Sequence, residues 1–137
     1  MRTAIDTNVL SALWSKEPLA SDIAKKLGNA KTEGGLVVGA PVYAELLAYP
    51  KATESFVNTF LADTGIDVDF EFQQRVWLEA GRRFAQNAKR RRSTAQQGPK
   101  RLLADFIIGS HALTQADRLM TLDPKRYKQD FPELKLL

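Results

Sequence analysis

The chain contains no cysteine. That excludes disulfides, thiolate zinc sites and a cysteine nucleophile, and it suits a reducing compartment such as the cytoplasm. Histidine occurs once, at His111. A zinc site built from several imidazoles is therefore impossible. A Ser-His-Asp triad would have to use His111, yet there is no Gly-x-Ser-x-Gly nucleophile elbow. A Walker-type glycine loop is also missing, and Asp6-Thr7-Asn8 is not an Asp-x-Asp nucleophile motif, so phosphoryl-transfer folds of those kinds lack support. Long apolar runs are absent. The longest, Leu36 to Val42, falls far short of the ~20 residues needed to span a bilayer, so no membrane association is expected. Asp6 interrupts the apolar lead at the N-terminus, so a signal peptide is not expected.

What is present fits a compact, basic protein. The 137 residues, 44% of them hydrophobic, predict one domain over 1–137 with a sizeable core. A net charge of +4 favours phosphate-bearing partners. The pattern alternates strands with helices. Met1 to Ile5 reads as a buried strand, followed by a helix capped by Thr7 or Asn8, with Val9, Leu10, Leu13 and Trp14 inward. Ser21 is a candidate cap for a second helix that stops at Gly28-Asn29. Leu36 to Gly39 is a second strand, and Pro41 fits the first turn of a helix ending at Pro50. Ala52 to Leu61 is helical and closes near Gly65. Ile66 to Phe70 alternates as a third strand. Glu71 to about Arg92 is a helix with Phe72, Val76, Trp77, Ala80 and Phe84 on one stripe. Gln96 to Pro99 is a loop. Arg101 to Ala116 is a strongly apolar helix, Leu119 to Thr121 a fourth strand, and Leu134 to Leu137 an edge strand. Such alternation predicts an α/β protein, a three-layer α/β/α sandwich around a mostly parallel central sheet.

Four acids stand out: Asp6, Glu45, Asp105 and Asp123. In this fold class ligand sites form at the carboxyl edge of the sheet. Asp6 follows the first strand directly. Glu45 lies one turn into the helix after the second. Asp105 sits between Leu102-Leu103-Ala104 and Phe106-Ile107-Ile108, on a helix that reads as buried on most sides, where a lone carboxylate is costly. Gly109-Ser110, one turn on, lets that helix lie close to its neighbours. Asp123 ends the fourth strand. Each acid also has a plainer reading. Asp6 is a capping residue, Glu45 a solvated helix charge, Asp105 a partner of Arg101, and Asp123 a turn residue before Pro124. Asp117 competes with Asp123 but lies at the opposite edge of the sheet. If the four converge, they form an oxygen-ligand cage for Mg²⁺ or Mn²⁺. Thr7, Asn8 and Thr121 are supporting candidates. A divalent cage on a basic protein points to phosphodiester cleavage.

Arg82, Arg83, Lys89, Arg90, Arg91 and Arg92 offer a positive surface for an RNA backbone, or simply a solvated helix end suited to its dipole. Trp77 and Phe84 read as core rather than base-stacking platforms, and His111 as a buried helix residue. The rival to catalysis is a non-catalytic RNA-binding or regulatory module, in which the basic surface matters and the acids are incidental.

The ordered marks Ile5-Asp6-Thr7-Asn8-Val9-Leu10, Ala44-Glu45-Leu46, Ala104-Asp105-Phe106-Ile107-Ile108-Gly109 with Ala112, and Thr121-Leu122-Asp123-Pro124 resemble the PIN domain. The resemblance is closer still to the VapC-type toxins of toxin–antitoxin pairs, and it covers nearly the whole chain. It implies a Mg²⁺- or Mn²⁺-dependent endoribonuclease that is a homodimer. A cognate antitoxin would block the acidic pocket, often with an Arg. Asp6, Glu45, Asp105 and Asp123 would carry over as metal ligands. Gly109-Ser110-His111, where small Ala-rich sequence is usual, and the Arg-rich stretch before Gly98 depart from the pattern.

Overall fold

The computed structural model describes residues 1–94 and 102–137. The expected loop at Gln96 to Pro99, the helix start at Arg101 and the Arg101–Asp105 pairing lie outside them. Four short strands form one parallel sheet: β1 (Thr3–Ile5), β2 (Leu36–Gly39), β3 (Ile66–Asp69) and β4 (Arg118–Met120), in the order β3-β2-β1-β4. Thr3 pairs with Leu36 on one side and Arg118 on the other, and Gly39 pairs with Asp69. The two central strands, β1 and β2, and the edge strand β4 are fully buried, as expected in a sheet covered on both faces.

Seven helices are present among the described residues. α1 (Thr7–Trp14) and α2 (Ala20–Glu33) cross from β1 to β2, and α3 (Ala40–Leu47) and α4 (Glu54–Thr64) from β2 to β3. α5 (Gln74–Thr94) and α6 (Leu103–Gln115) carry the chain to β4 on the far side of β1, and α7 (Pro124–Asp130) follows. One face of the sheet meets α1, α2 and α4, where Leu13, Leu27, Leu36, Phe60 and Ile66 line a common cleft. Gly39 points the other way, toward α6. A Cβ there would stand 2.7 Å from the Phe72 ring and 3.0 Å from His111 Nδ1, so only glycine permits the approach. The expected sandwich is thus the observed one.

Several boundaries differ from expectation, each for a local reason. α2 has no side-chain cap. It starts before Ser21 and runs through Gly28 to Gly34, because a solvent-facing helical glycine costs only about 1 kcal/mol. α3 ends at Leu47, short of Pro50, and α5 begins only after Phe72, whose ring stacks on His111 at 4.7 Å. Trp77 is 52% exposed, off the inner stripe. β4 takes in Arg118 and stops before Thr121; the buried guanidinium is satisfied by Thr3 Oγ1 at 2.9 Å and Glu33 at 3.1 Å. The expected edge strand at 134–137 reduces to a single parallel bridge between Leu119 and Leu136. The sequence pattern assigns no element between the fourth strand and Leu134, where α7 lies.

Candidate active site

The order β3-β2-β1-β4 makes β1 the strand from which the chain departs in opposite directions. A crevice opens at the carboxyl end of such a switch point. Asp6, the first residue past β1, stands at that switch point and is 7% exposed. The structure makes Asp6 itself the N-cap of α1, since its extended backbone precedes the first helical residue, Thr7. Neither Thr7 nor Asn8 takes that role. Its Oδ1 accepts from the Thr7 backbone N–H at 2.8 Å. Its Oδ2 accepts from the Thr121 hydroxyl at 2.9 Å and from the Tyr127 hydroxyl at 3.1 Å. Burial pushes the Asp6 carboxyl above its ordinary range. The three hydrogen bonds oppose that push, and the charge of Asp105 adds to it. Two acids from opposite halves of the chain therefore feel each other at this edge.

The remaining acids join through short links. Glu45, exposed on α3, accepts from the Thr7 hydroxyl at 2.6 Å. Asp123 donates its backbone N–H to Thr121 Oγ1 at 3.1 Å, and Asn8 accepts from the Leu122 N–H at 3.1 Å, which ties the end of β4 to α1. Asp105 lies in the first turn of α6, not in the fully buried stretch of Ile108 to Ala112, and its Oδ2 accepts from the Leu102 N–H at 3.2 Å. Its side chain is 15% exposed and pairs with Arg126 at 3.3 Å. The same guanidinium pairs with Asp123 at 3.2 Å. The cation expected beside Asp105 thus comes from α7, two elements later.

Sequence reasoning missed Arg126 and Tyr127, both on α7. Pro124 at the first helical position was the available signal. The basic residues of α5 explain how α7 is held. Arg83 binds Glu79 at 3.1 Å, the Asp130 carbonyl at 2.8 Å and Glu133 at 2.6 Å, with its guanidinium 4.6 Å from the Phe131 ring centre. Arg90 pairs with the buried Asp130 at 2.6 Å. These two candidates for RNA contact are thus engaged inside the molecule. Arg82, Lys89 and Arg92 are exposed, with Arg82 paired to Glu79 at 3.5 Å, and Arg91 is half-buried. Asp117 sits at the other edge, where it accepts the Arg2 backbone N–H at 2.6 Å.

The donor set suits a hard divalent ion in kind: only oxygens, one of them on a buried carboxylate whose charge is under-compensated. Among the described residues, no three acidic or imidazole side chains stand close enough together to grip an ion as they are placed. The guanidinium of Arg126 spans two of the acids instead, so a cation already answers the charge there. The residues fit a divalent ion, provided that Arg126 yields.

A parallel sheet with acids gathered at its carboxyl edge from β1, α3, α6 and the end of β4 defines a compact class of α/β protein with an oxygen-lined site. The PIN domain model matches residues 3–132, and the chain belongs to the PIN domain family. Two solved structures share the fold over the whole chain. VapBC-1 from nontypeable Haemophilus influenzae is 20% identical with a TM-score of 0.68, covering 100% of this chain and 97% of that one. VapBC2 from Rickettsia felis, solved bound to a DNA fragment from its promoter, is 19% identical with a TM-score of 0.66, covering 100% and 98%. At these identities the likeness is one of fold. No curated protein matches the chain significantly. No helix among the described residues is long and apolar enough to cross a membrane.

Proposed function

We propose that this protein is a Mg²⁺- or Mn²⁺-dependent endoribonuclease, the toxin of a toxin–antitoxin pair acting in the cytoplasm. One observation carries the reading. A buried carboxylate at the switch point, Asp6, is linked by hydrogen bonds or charge to acids from three other segments of the chain. Membership of the PIN domain family and the fold shared with the two VapBC structures support it. A cognate antitoxin and a second copy of the chain are the expected protein partners.

In this reading Asp6, Asp105 and Asp123 hold the ion, which when bound supplies Lewis-acid charge at the scissile phosphate and lowers the pKa of a water. Thr121 and Tyr127 fix the Asp6 carboxylate by donating to it. Glu45, held by the Thr7 hydroxyl, orients the attacking water and accepts its proton. The water oxygen bonds to phosphorus in line as the P–O3′ bond breaks. The 3′ oxygen takes up a proton, leaving a 5′-phosphate and a 3′-hydroxyl. Arg82, Lys89 and Arg92 hold backbone phosphates without reading bases, so target choice rests on RNA shape and single-stranded loops.

The test is RNA cleavage with Mg²⁺ or Mn²⁺ titrated in, using Asp6→Asn and Asp105→Asn as controls. Both variants are expected to fold, by circular dichroism, and to cleave at least ~100-fold more slowly. EDTA should abolish wild-type cleavage. Wild-type rates from both variants, or cleavage indifferent to EDTA, would defeat the proposal. RNA binding that weakens with salt but ignores metal, without cleavage, would favour a non-catalytic RNA-binding module.

A further inference from the structure

The acids of the site meet a cation that belongs to the chain itself. Arg126 reaches from the first turn of α7 to Asp105 on α6 at 3.3 Å and to Asp123 before α7 at 3.2 Å. Two carboxylates this close to one guanidinium are brought together by it, since without a cation they would repel one another. The arrangement also explains why no three acids are placed to grip an ion among the described residues. Two of them are turned to the guanidinium.

We propose that Arg126 is a built-in counter-cation that competes with the divalent ion for Asp105 and Asp123. This inference rests on the metal-dependent reading above. The side chain of Arg126 is 36% exposed, and that of Asp123 is 43% exposed, so the pair lies at the solvent margin. Rotation about the side-chain bonds of Arg126 would carry the guanidinium off both carboxylates toward solvent. The core under α7 is held separately, by buried Tyr127 and Phe131 and by the Arg83 and Arg90 bonds to Asp130 and Glu133. Ion and guanidinium exclude each other because both are cations directed at the same two carboxylates, and their mutual repulsion adds to the loss of the ion pairs. The metal-free chain is thereby spared an uncompensated acidic edge. The ion must displace one positive charge to bind, which weakens its apparent affinity.

The test is calorimetric titration of Mn²⁺ into the full chain, wild type against Arg126→Gln and Arg126→Lys, with melting temperatures in EDTA alongside. Arg126→Gln should bind Mn²⁺ roughly tenfold more tightly, the factor expected when a unit charge beside a divalent ion is removed in a water-like dielectric. It should also melt lower than wild type in EDTA. Arg126→Lys, which keeps the charge, should stay near wild-type affinity. Arg126→Gln binding Mn²⁺ no more tightly than wild type would overturn competition. Failure of the wild type and both variants to bind Mn²⁺ at all would overturn the metal reading itself, and the competition with it.

Discussion

Asp6 and Ser110 are both buried polar side chains, and they are treated oppositely by their surroundings. Every contact of Asp6 is a donor: a helix N-terminal N–H and two hydroxyls. Burial nevertheless outweighs them and holds the carboxyl above its ordinary range. A cation at this edge relieves that cost, which is why ion binding should stabilise the fold. Ser110, fully buried in α6, has a hydroxyl with no hydrogen-bond partner among the described residues. Nothing in the site uses it. Its unsatisfied burial costs about 1–3 kcal/mol, partly offset by the packing of the oxygen itself. Ser110→Ala should therefore stabilise the chain by about 1 kcal/mol, seen as a higher urea midpoint with an unchanged slope. A lower midpoint would mean that the hydroxyl is satisfied after all.

At the scale of elements, the acids were legible and the helix that serves them was not. A strand followed at once by Asp6, and another followed by Asp123, placed those two carboxylates at one sheet edge by topology alone. Glu45 followed from a helix that starts after the second strand, and Asp105 from the cost of a carboxylate amid apolar residues. α7 escaped notice because Pro124-Lys125-Arg126-Tyr127-Lys128-Gln129-Asp130 holds too few apolar residues to show a helical period. Its stability comes from tertiary contacts, through Tyr127 inside and the arginines of α5 outside. Phe131, at its C-terminal end, lies under Gly109 of α6, where a Cβ would come within 2.4 Å of the ring. The small residue expected to allow close packing at Gly109 has that use. Gly109→Ala should cost about 1–3 kcal/mol by overpacking. Because the ring is the obstacle, Phe131→Leu in the same chain should recover part of that loss. A double-mutant cycle by denaturant unfolding measures the coupling. Additive losses would mean that the clash is relieved elsewhere.

For the whole molecule, a second polar network gathers at the end of β3. Asp69, at the end of the edge strand, accepts both guanidinium nitrogens of Arg2 at 3.0 and 3.1 Å, His111 Nε2 at 2.8 Å and Gln115 at 3.3 Å. The cluster joins the N-terminal segment, the sheet edge and α6. Sequence alone marked His111 as a buried helix residue but gave no sign of its partner, since Asp69 sat in an alternating strand pattern that reads as solvent-facing. Burial lowers the His111 pKa from its ordinary 6.5, more than the Asp69 contact raises it. The folded chain therefore binds fewer protons than the unfolded chain just below that value. The contribution of His111 to stability is complete above pH 6.5 and is lost as pH falls through its folded pKa. Burial alone would raise the Asp69 carboxyl. The hydrogen bonds from Arg2 and His111 overcome this and hold it below 3.8, so its own contribution is present above that pH and lost only in stronger acid. The raised Asp6 carboxyl works in the opposite sense as pH falls, so the share of His111, the one histidine, is the difference between wild type and a variant lacking it. That difference in unfolding free energy, measured in EDTA, should fall from about pH 7 to 5 with a slope of at most about 1.4 kcal/mol per pH unit. His111→Gln can still donate to Asp69 but cannot titrate, and should lack this fall. An equal slope in wild type and His111→Gln would show that the imidazole is not held neutral by its burial.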